Sequence, residues 1–270
     1  MALRCLYTDL DGTLLGRWGS LFRDPEGEFS MLQARALEAC HRADVEVVIK
    51  SGRRESSVLE DAKLIGSRSY ICEVGAMVVI DGEKTVLIGD AESEPGKTLA
   101  ETMVDQGIPD ELFEHFAGRL EWHSPWHRQR ELSLLFKGKI DVAEANRLLA
   151  ERGHTGLRLI DNGAIFAPMD GIEGPAHAYH LLPEAASKAN AVVFHMRARG
   201  YAPEECIAIG DSVEDLDVAK VVGHFFVPAN GPERDPALRE AIAGQANVTV
   251  TEGRMGDGVY EAVVSTLAGG

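Results

Sequence analysis

Short apolar runs of β type alternate with amphipathic stretches through the first third of the chain, and this alternation constrains the fold more than any other feature. Residues 3–8 are β-rich and read as a strand buried on both faces. Residues 30–43 read as an amphipathic helix with Ser30 at its N-cap. A second strand, 45–50, is broken by Ser51-Gly52-Arg53-Arg54, and residues 55–65 look helical. Short strands follow at 70–72 and 77–80, the latter closed by an Asp81-Gly82 turn. A β-α-β-α-β order points to a parallel sheet, because parallel neighbours need a crossover between them.

Residues 84–181 interrupt the pattern. Hairpin-like runs at 132–136 and 157–160 flank a helical stretch at 141–152, and residues 161–164 read as a tight turn into a strand at 165–167. The alternation resumes near residue 184. Helix 186–199 precedes a buried strand at 206–210, a short helix at 213–221 and a strand at 224–228. Helix 235–243, strand 248–250 and helix 256–268 complete the chain. The expected fold is α/β, a Rossmann-like parallel sheet from residues 1–83 and 182–270, with 84–181 as an inserted α+β domain. Such sheets bind ligands at the carboxyl ends of their strands.

The 270 residues include 43 acidic and 27 basic side chains, a formal charge of −16. Such a surface repels nucleic acid and anionic membranes, so an anionic substrate needs a local cationic pocket. No run of about 18 apolar residues offers a membrane span, and no signal-peptide pattern opens the chain. A cytoplasmic monomer or homodimer is expected. Cys5, Cys40, Cys72 and Cys206 are scattered without a CxxC pair and read as buried thiols rather than disulfides or zinc ligands. His123 and His127 have a helical ligand spacing, but Pro125 between them disfavours a regular helix and no third ligand is evident.

Four signals sit at strand ends or helix starts. Asp9-Leu10-Asp11-Gly12-Thr13 follows the first strand and Ser51-Gly52-Arg53 the second. Lys188 opens the helix after the insertion, and Gly210-Asp211-Ser212-Val213-Glu214-Asp215 follows a later strand. Singly, each has a plain reading: an Asx turn, a helix cap, a solvated charge, an N-cap. In this order they resemble the haloacid dehalogenase (HAD) superfamily of phosphohydrolases, whose patterns hhhDxDGT, hhhS/TGR, Lys and hhhGDxxxD all have a counterpart. The insertion resembles the type 2 cap of the Cof-like and sugar-phosphatase subgroup, which includes mannosyl-3-phosphoglycerate phosphatase.

The resemblance implies a Mg²⁺-dependent phosphomonoester hydrolase. It would act through an aspartyl-phosphate on a small phosphorylated metabolite such as a sugar phosphate. Asp9 matches the nucleophile and Asp11 the general acid/base. Ser51 and the backbone at Leu10 and Gly52 match the phosphoryl-oxygen donors, Lys188 the fixed positive charge, and Arg53 a substrate contact. Mg²⁺ would be held by Asp9, the Asp11 carbonyl and Asp211, with Asp215 in a metal-shell or lysine-orienting role. Glu214 departs from the Asn common in this subgroup, and its role stays open. Dehalogenases of this family lack an acid at the position of Asp11, which favours phosphoryl transfer over C–Cl cleavage. A phosphomutase would use the same acid pair. A catalytically quiet binding protein is the other alternative, and the intact motif set weighs against it. The inserted domain is expected to read the leaving group. Trp122, Trp126, Arg128 and Arg130 are its densest candidate cluster, with a surface loop and core tryptophans as the plain reading, and residues 170–174 are another candidate edge.

Overall fold

A computed structural model describes residues 2–165 and 169–269, so positions 166 and 167 of the expected strand 165–167 lie outside the described residues. The chain divides into two compact units, Met1–Thr85 with Lys188–Gly270, and Val86–Ser187.

In the first unit β1 (Cys5–Thr8), α1 (Leu32–Arg42), β2 (Glu46–Lys50), α2 (Glu55–Ile65), β3 (Ser69–Cys72), β4 (Met77–Ile80) and β5 (Glu83–Val86) run in order. All four β1 residues are buried, which explains an apolar run without alternation. Parallel pairing joins β1 to β2 and β2 to β3, and β4 turns back antiparallel to β3. Ser30 is not the cap of α1: the helix starts at Leu32 behind Met31, which makes no side-chain capping bond. The Ser30 hydroxyl accepts from the Leu32 N–H at 3.3 Å and sits 3.4 Å from Asp257, so it braces the entry to the helix instead.

The second unit holds α3 (Leu99–Asp105), α4 (Ile108–His115), β6 (Leu120–Trp122), β7 (Leu134–Gly138), α5 (Val142–Glu151), β8 (Leu157–Ala164) and β9 (His177–Pro183). Its antiparallel sheet has the order β6-β7-β9-β8. The tight turn expected at 161–164 is absent, and those residues extend β8. The Asn162-Gly163 signal marks a register shift against β9 instead. Gly163 takes φ 93° there, and its N–H is held by Asp161 at 2.8 Å.

The first unit resumes with α6 (Lys188–Arg199), β10 (Cys206–Ile209), α7 (Val213–Leu216), β11 (His224–Val227), α8 (Asn230–Arg234), α9 (Pro236–Ile242), β12 (Val248–Val250) and α10 (Met255–Gly269). The short helix expected at 213–221 is α7 followed by a 3₁₀ turn, Asp217–Lys220. The eight strands are ordered β12-β11-β10-β1-β2-β3-β4-β5. The chain winds from β1 toward β3, then returns on the other side of β1 through β10. That reversal opens a crevice at the carboxyl ends of β1 and β10. Among the described residues no helix is long and apolar enough to cross a membrane.

Candidate active site

The crevice is acidic because two neighbouring parallel strands each release a carboxylate at their end. Asp9 follows β1, and Asp211 follows β10. The first turn of α7 adds Asp215. Carboxylate oxygens of Asp9, Asp211 and Asp215 lie within 4.8 Å of one another, and all three residues are buried. Glycine makes this convergence possible. Gly12 takes φ 78°, and a Cβ there would lie 2.2 Å from Asp211 Oδ2. A Cβ on Gly210 would lie 2.5 Å from the side chain of Asp215.

Two buried lysines answer the acids. Lys188, at the first position of α6, places Nζ 2.8 Å from Asp215 Oδ1, 3.2 Å from Asp9 Oδ1 and 3.2 Å from Glu214 Oε2. Lys50, the last residue of β2, donates to the same Asp215 oxygen at 2.5 Å. Ser212 Oγ donates to Asp215 Oδ2 at 2.6 Å, so both oxygens of Asp215 are engaged. Asp211 accepts from Thr13 at 3.1 Å and from Arg234 at 2.8 Å. Asn230 ties the loop together, donating to the Gly12 carbonyl at 2.9 Å and accepting from the Met255 N–H at 2.7 Å.

These surroundings divide the acids. Burial pushes the Asp9 carboxyl up to about 7, although Lys188 opposes it. Burial likewise pushes Asp211 up to about 6 against Arg234. Asp215 goes the other way, because Lys188 and Lys50 outweigh its burial and hold it well below the usual carboxylate range. Lys188 is also buried, but Asp215, Asp9 and Glu214 keep it protonated.

Ser51 is buried at the end of β2, in a loop held from the next strand. Its carbonyl accepts from the Val74 N–H at 3.1 Å, and the Arg53 carbonyl from the Glu73 N–H at 2.9 Å. Glu73 and Val74 take φ of 47° and 59° to present those donors, a strained turn that fixes the loop. Arg53 grips Asp11 with one edge of its guanidinium, Nε to Oδ2 at 2.7 Å and Nη2 to Oδ1 at 2.5 Å, and reaches Asp61 through Nη1 at 2.8 Å. Asp11 is therefore the exposed acid of the pair, its side chain 60% accessible.

The structure brings Asp9, Lys188, Asp211 and Asp215 together and pairs Asp11 with Arg53, while Ser51 follows the strand next to β1 with its Oγ accepting from the Arg53 N–H at 3.2 Å. Leu10 and Gly52 lie in the same two loops. Sequence reasoning missed Lys50, Thr13, Arg234 and Asn230. A lysine ending an apolar strand was a usable signal, and Thr13 closes the Asp-x-Asp-Gly-Thr pattern; Arg234 and Asn230 carried none. Glu214 faces Lys188 rather than turning away from it.

In the second unit, Arg130 is buried and spends its guanidinium on Ser133, at 3.0 and 3.1 Å, and on His180 at 3.3 Å. Trp122 stacks on His127 at 5.0 Å, while Trp126 is exposed. Arg128 is exposed, and residues 170–171 form a turn. The segment around Pro125 is a turn, not a helix.

The donor set is all oxygen, which suits a hard divalent cation. Four largely buried carboxylates, Asp9, Asp211, Glu214 and Asp215, face three cations, Lys50, Lys188 and Arg234, so one negative charge remains that such a cation would offset. Residues 6–116 match the family of haloacid dehalogenase-like hydrolases. A phosphoglycolate phosphatase of Archaeoglobus fulgidus is 28% identical, over 96% of this chain and 95% of its own. Another, of Halorubrum lacusprofundi, is 27% identical over 93% and 92%. The sucrose-phosphatase of Synechocystis sp. PCC6803, solved with sucrose and phosphate, shares the fold with a TM-score of 0.67 at 16% identity, covering 98% of both chains.

Proposed function

We propose that the chain is a phosphatase of the haloacid dehalogenase-like hydrolases, the family it matches over residues 6–116, and that it hydrolyses a small carboxylate-bearing phosphomonoester of the phosphoglycolate type. The observation that carries the reaction is Asp9, held 3.2 Å from the Lys188 ammonium and within 4.8 Å of Asp211 and Asp215. An Asp9 oxygen attacks phosphorus and the bond to the leaving oxygen breaks, giving an aspartyl-phosphate. Asp11 gives its proton to the leaving oxygen, then takes one from the water that cleaves the aspartyl-phosphate. Lys188 and the Ser51 hydroxyl hold the phosphoryl oxygens, with the backbone at Leu10 and Gly52 completing the cradle.

Mg²⁺ bound by Asp9, Asp211 and the Asp11 carbonyl would offset repulsion between nucleophile and phosphate. Asp215, which accepts from Lys188, Lys50 and Ser212, positions the two lysines beside the acidic cluster. The carboxylate preference rests on Arg53 and on the full-length relatives. A guanidinium that accommodates the Asp11 carboxylate through two bonds would accept a substrate carboxylate the same way, and the exchange would release Asp11 for proton transfer.

A panel of phosphoglycolate and sugar phosphates, assayed with Mg²⁺ for released phosphate, tests this reading. The highest kcat/KM should fall on phosphoglycolate, and Asp9→Asn should lower turnover by on the order of 10³-fold or more. A sugar phosphate turned over better would reassign the substrate. A phosphosugar isomerised without phosphate release would identify a mutase. Turnover surviving in Asp9→Asn would remove the nucleophile assignment.

A further inference from the structure

The opposite end of the same sheet holds a second convergence of metal-binding side chains. Parallel register places Cys206, Cys5 and Glu46 side by side as the first residues of β10, β1 and β2. Over this end lies α6, which brings in His195. One ligand atom each from Cys5, Glu46 and His195 lies within 4.8 Å of the others. We propose that Cys5 Sγ, Glu46 Oε1 and His195 Nε2 form a site for a borderline divalent transition metal such as Zn²⁺, separate from the acidic crevice. Four residue steps of extended chain from Cys5 to Asp9 put the two sites roughly 13 Å apart along β1.

Three observations support it. First, His195 is fully buried, yet its Nε2 has no hydrogen-bond partner, the nearest Glu46 oxygen standing off at 3.6 Å. A buried imidazole nitrogen left unpaired is costly, and a cation between it and the carboxylate resolves that cost. Second, the hydrogen bonding is compatible with the tautomer that a metal ligand needs. Tyr7 Oη sits 2.8 Å from His195 Nδ1. When the hydroxyl accepts from Nδ1–H, the Nε2 lone pair is left free for a cation. Third, Glu46 is fixed in place: Ser69 Oγ donates to Oε1 at 2.7 Å, Arg199 at 3.0 Å, and Tyr201 to Oε2 at 2.8 Å. Such outer partners are what orient ligands in metal sites.

The donor set of thiolate, imidazole and carboxylate distinguishes this site from the crevice. It suits Zn²⁺ in tetrahedral coordination with a fourth position left for water. All four cysteines are buried free thiols, as expected, and the proposal gives Cys5 a ligand role that the expectation did not include. A cleft of about 290 Å³ is bordered by Glu46, Arg199 and Tyr201, on the exposed side of the proposed carboxylate ligand. Burial, reinforced by Cys206, keeps the Cys5 thiol protonated without a cation, so binding would release that proton to solvent.

Cobalt substitution tests the site. The full chain is stripped with chelator and titrated with Co²⁺, and the near-ultraviolet thiolate-to-cobalt charge-transfer band is followed. The band should appear in the native protein, persist in Asp211→Asn, and be lost in both Cys5→Ser and His195→Gln. The crevice cannot produce it, because its ligands are all oxygen. Absence of the band from the native protein under excess Co²⁺ would overturn the proposal whatever the variants do, as would a band of undiminished strength in a folded Cys5→Ser protein.

Discussion

Lys50 and Lys188 donate to one and the same oxygen of Asp215, from 2.5 and 2.8 Å, although they enter from different elements, the end of β2 and the start of α6. All three side chains are almost fully buried. Asp215 is thus the counter-charge that lets two ammonium groups stand inside the protein. Lys188 is left poised toward Asp9, and Lys50 is left as the anchor.

The consequence is measurable through Lys50. Lys50→Met keeps the length of the side chain and removes its charge, leaving Asp215 with Lys188 alone. Breaking a buried pair by removing one partner costs about 3–5 kcal/mol. Urea unfolding in chelator should show a loss of that size. A loss below about 1 kcal/mol would mean that Lys188 and Ser212 suffice to hold Asp215.

Asp9 and Asp211 predict how the metal-free protein responds to pH. Their folded values lie at about 7 and about 6, above an ordinary 3.8. Between 3.8 and about 7 the folded state therefore binds more protons than the unfolded chain, and stability falls as pH rises through that window. Asp215, shifted downward, acts oppositely and only in strong acid. Melting curves in chelator should drop from acid toward neutral pH, and saturating Mg²⁺ should flatten that slope by stabilising the charged carboxylates. A metal-free midpoint that climbs with pH over this range would contradict the assignment.

The sheet and most of the crevice were legible in the sequence for a physical reason. Residues 5–8 and 206–209 are buried on both faces, so they appear as uninterrupted apolar runs, and the acids that end them stand out. What failed was local. Asn162-Gly163 carries the chemistry of a turn, and only pairing with β9 makes it a bulge. Arg234 and Asn230 reach the crevice from α8, whose Gly231-Pro232 resembles a loop. Their roles depend on contacts more than 20 residues distant in sequence, such as Asn230 with Gly12. In the sequence Trp122 and Arg130 fit either ligand-facing or packed side chains; Trp122 stacks on His127 and Arg130 bonds Ser133, contacts that no sequence pattern announces.

Glu214 separates charge from position. Its carboxylate lies 3.2 Å from Lys188, but the lysine also has Asp9 and Asp215, and burial raises the Glu214 carboxyl above its ordinary value. Glu214→Asn should therefore keep Lys188 in place, with kcat reduced by no more than roughly tenfold, the scale of one weakened contact to a charged group. A collapse of turnover comparable to that of Asp9→Asn would give Glu214 a direct part in the reaction.

Arg53 tests substrate recognition independently of the chemical step. Its two bonds to Asp11 and one to Asp61 mark a guanidinium already oriented for a carboxylate. Arg53→Ala should raise KM for phosphoglycolate by roughly 10- to 100-fold, the worth of a bidentate charge-assisted contact. A phosphomonoester without a carboxylate, such as p-nitrophenyl phosphate, should keep its KM, and its kcat should hold or rise because Asp11 is no longer pinned. Steady-state kinetics on the two substrates side by side distinguish the possibilities. Equal losses on both would move Arg53 from the substrate carboxylate to the phosphoryl group, since only the phosphoryl group is common to them.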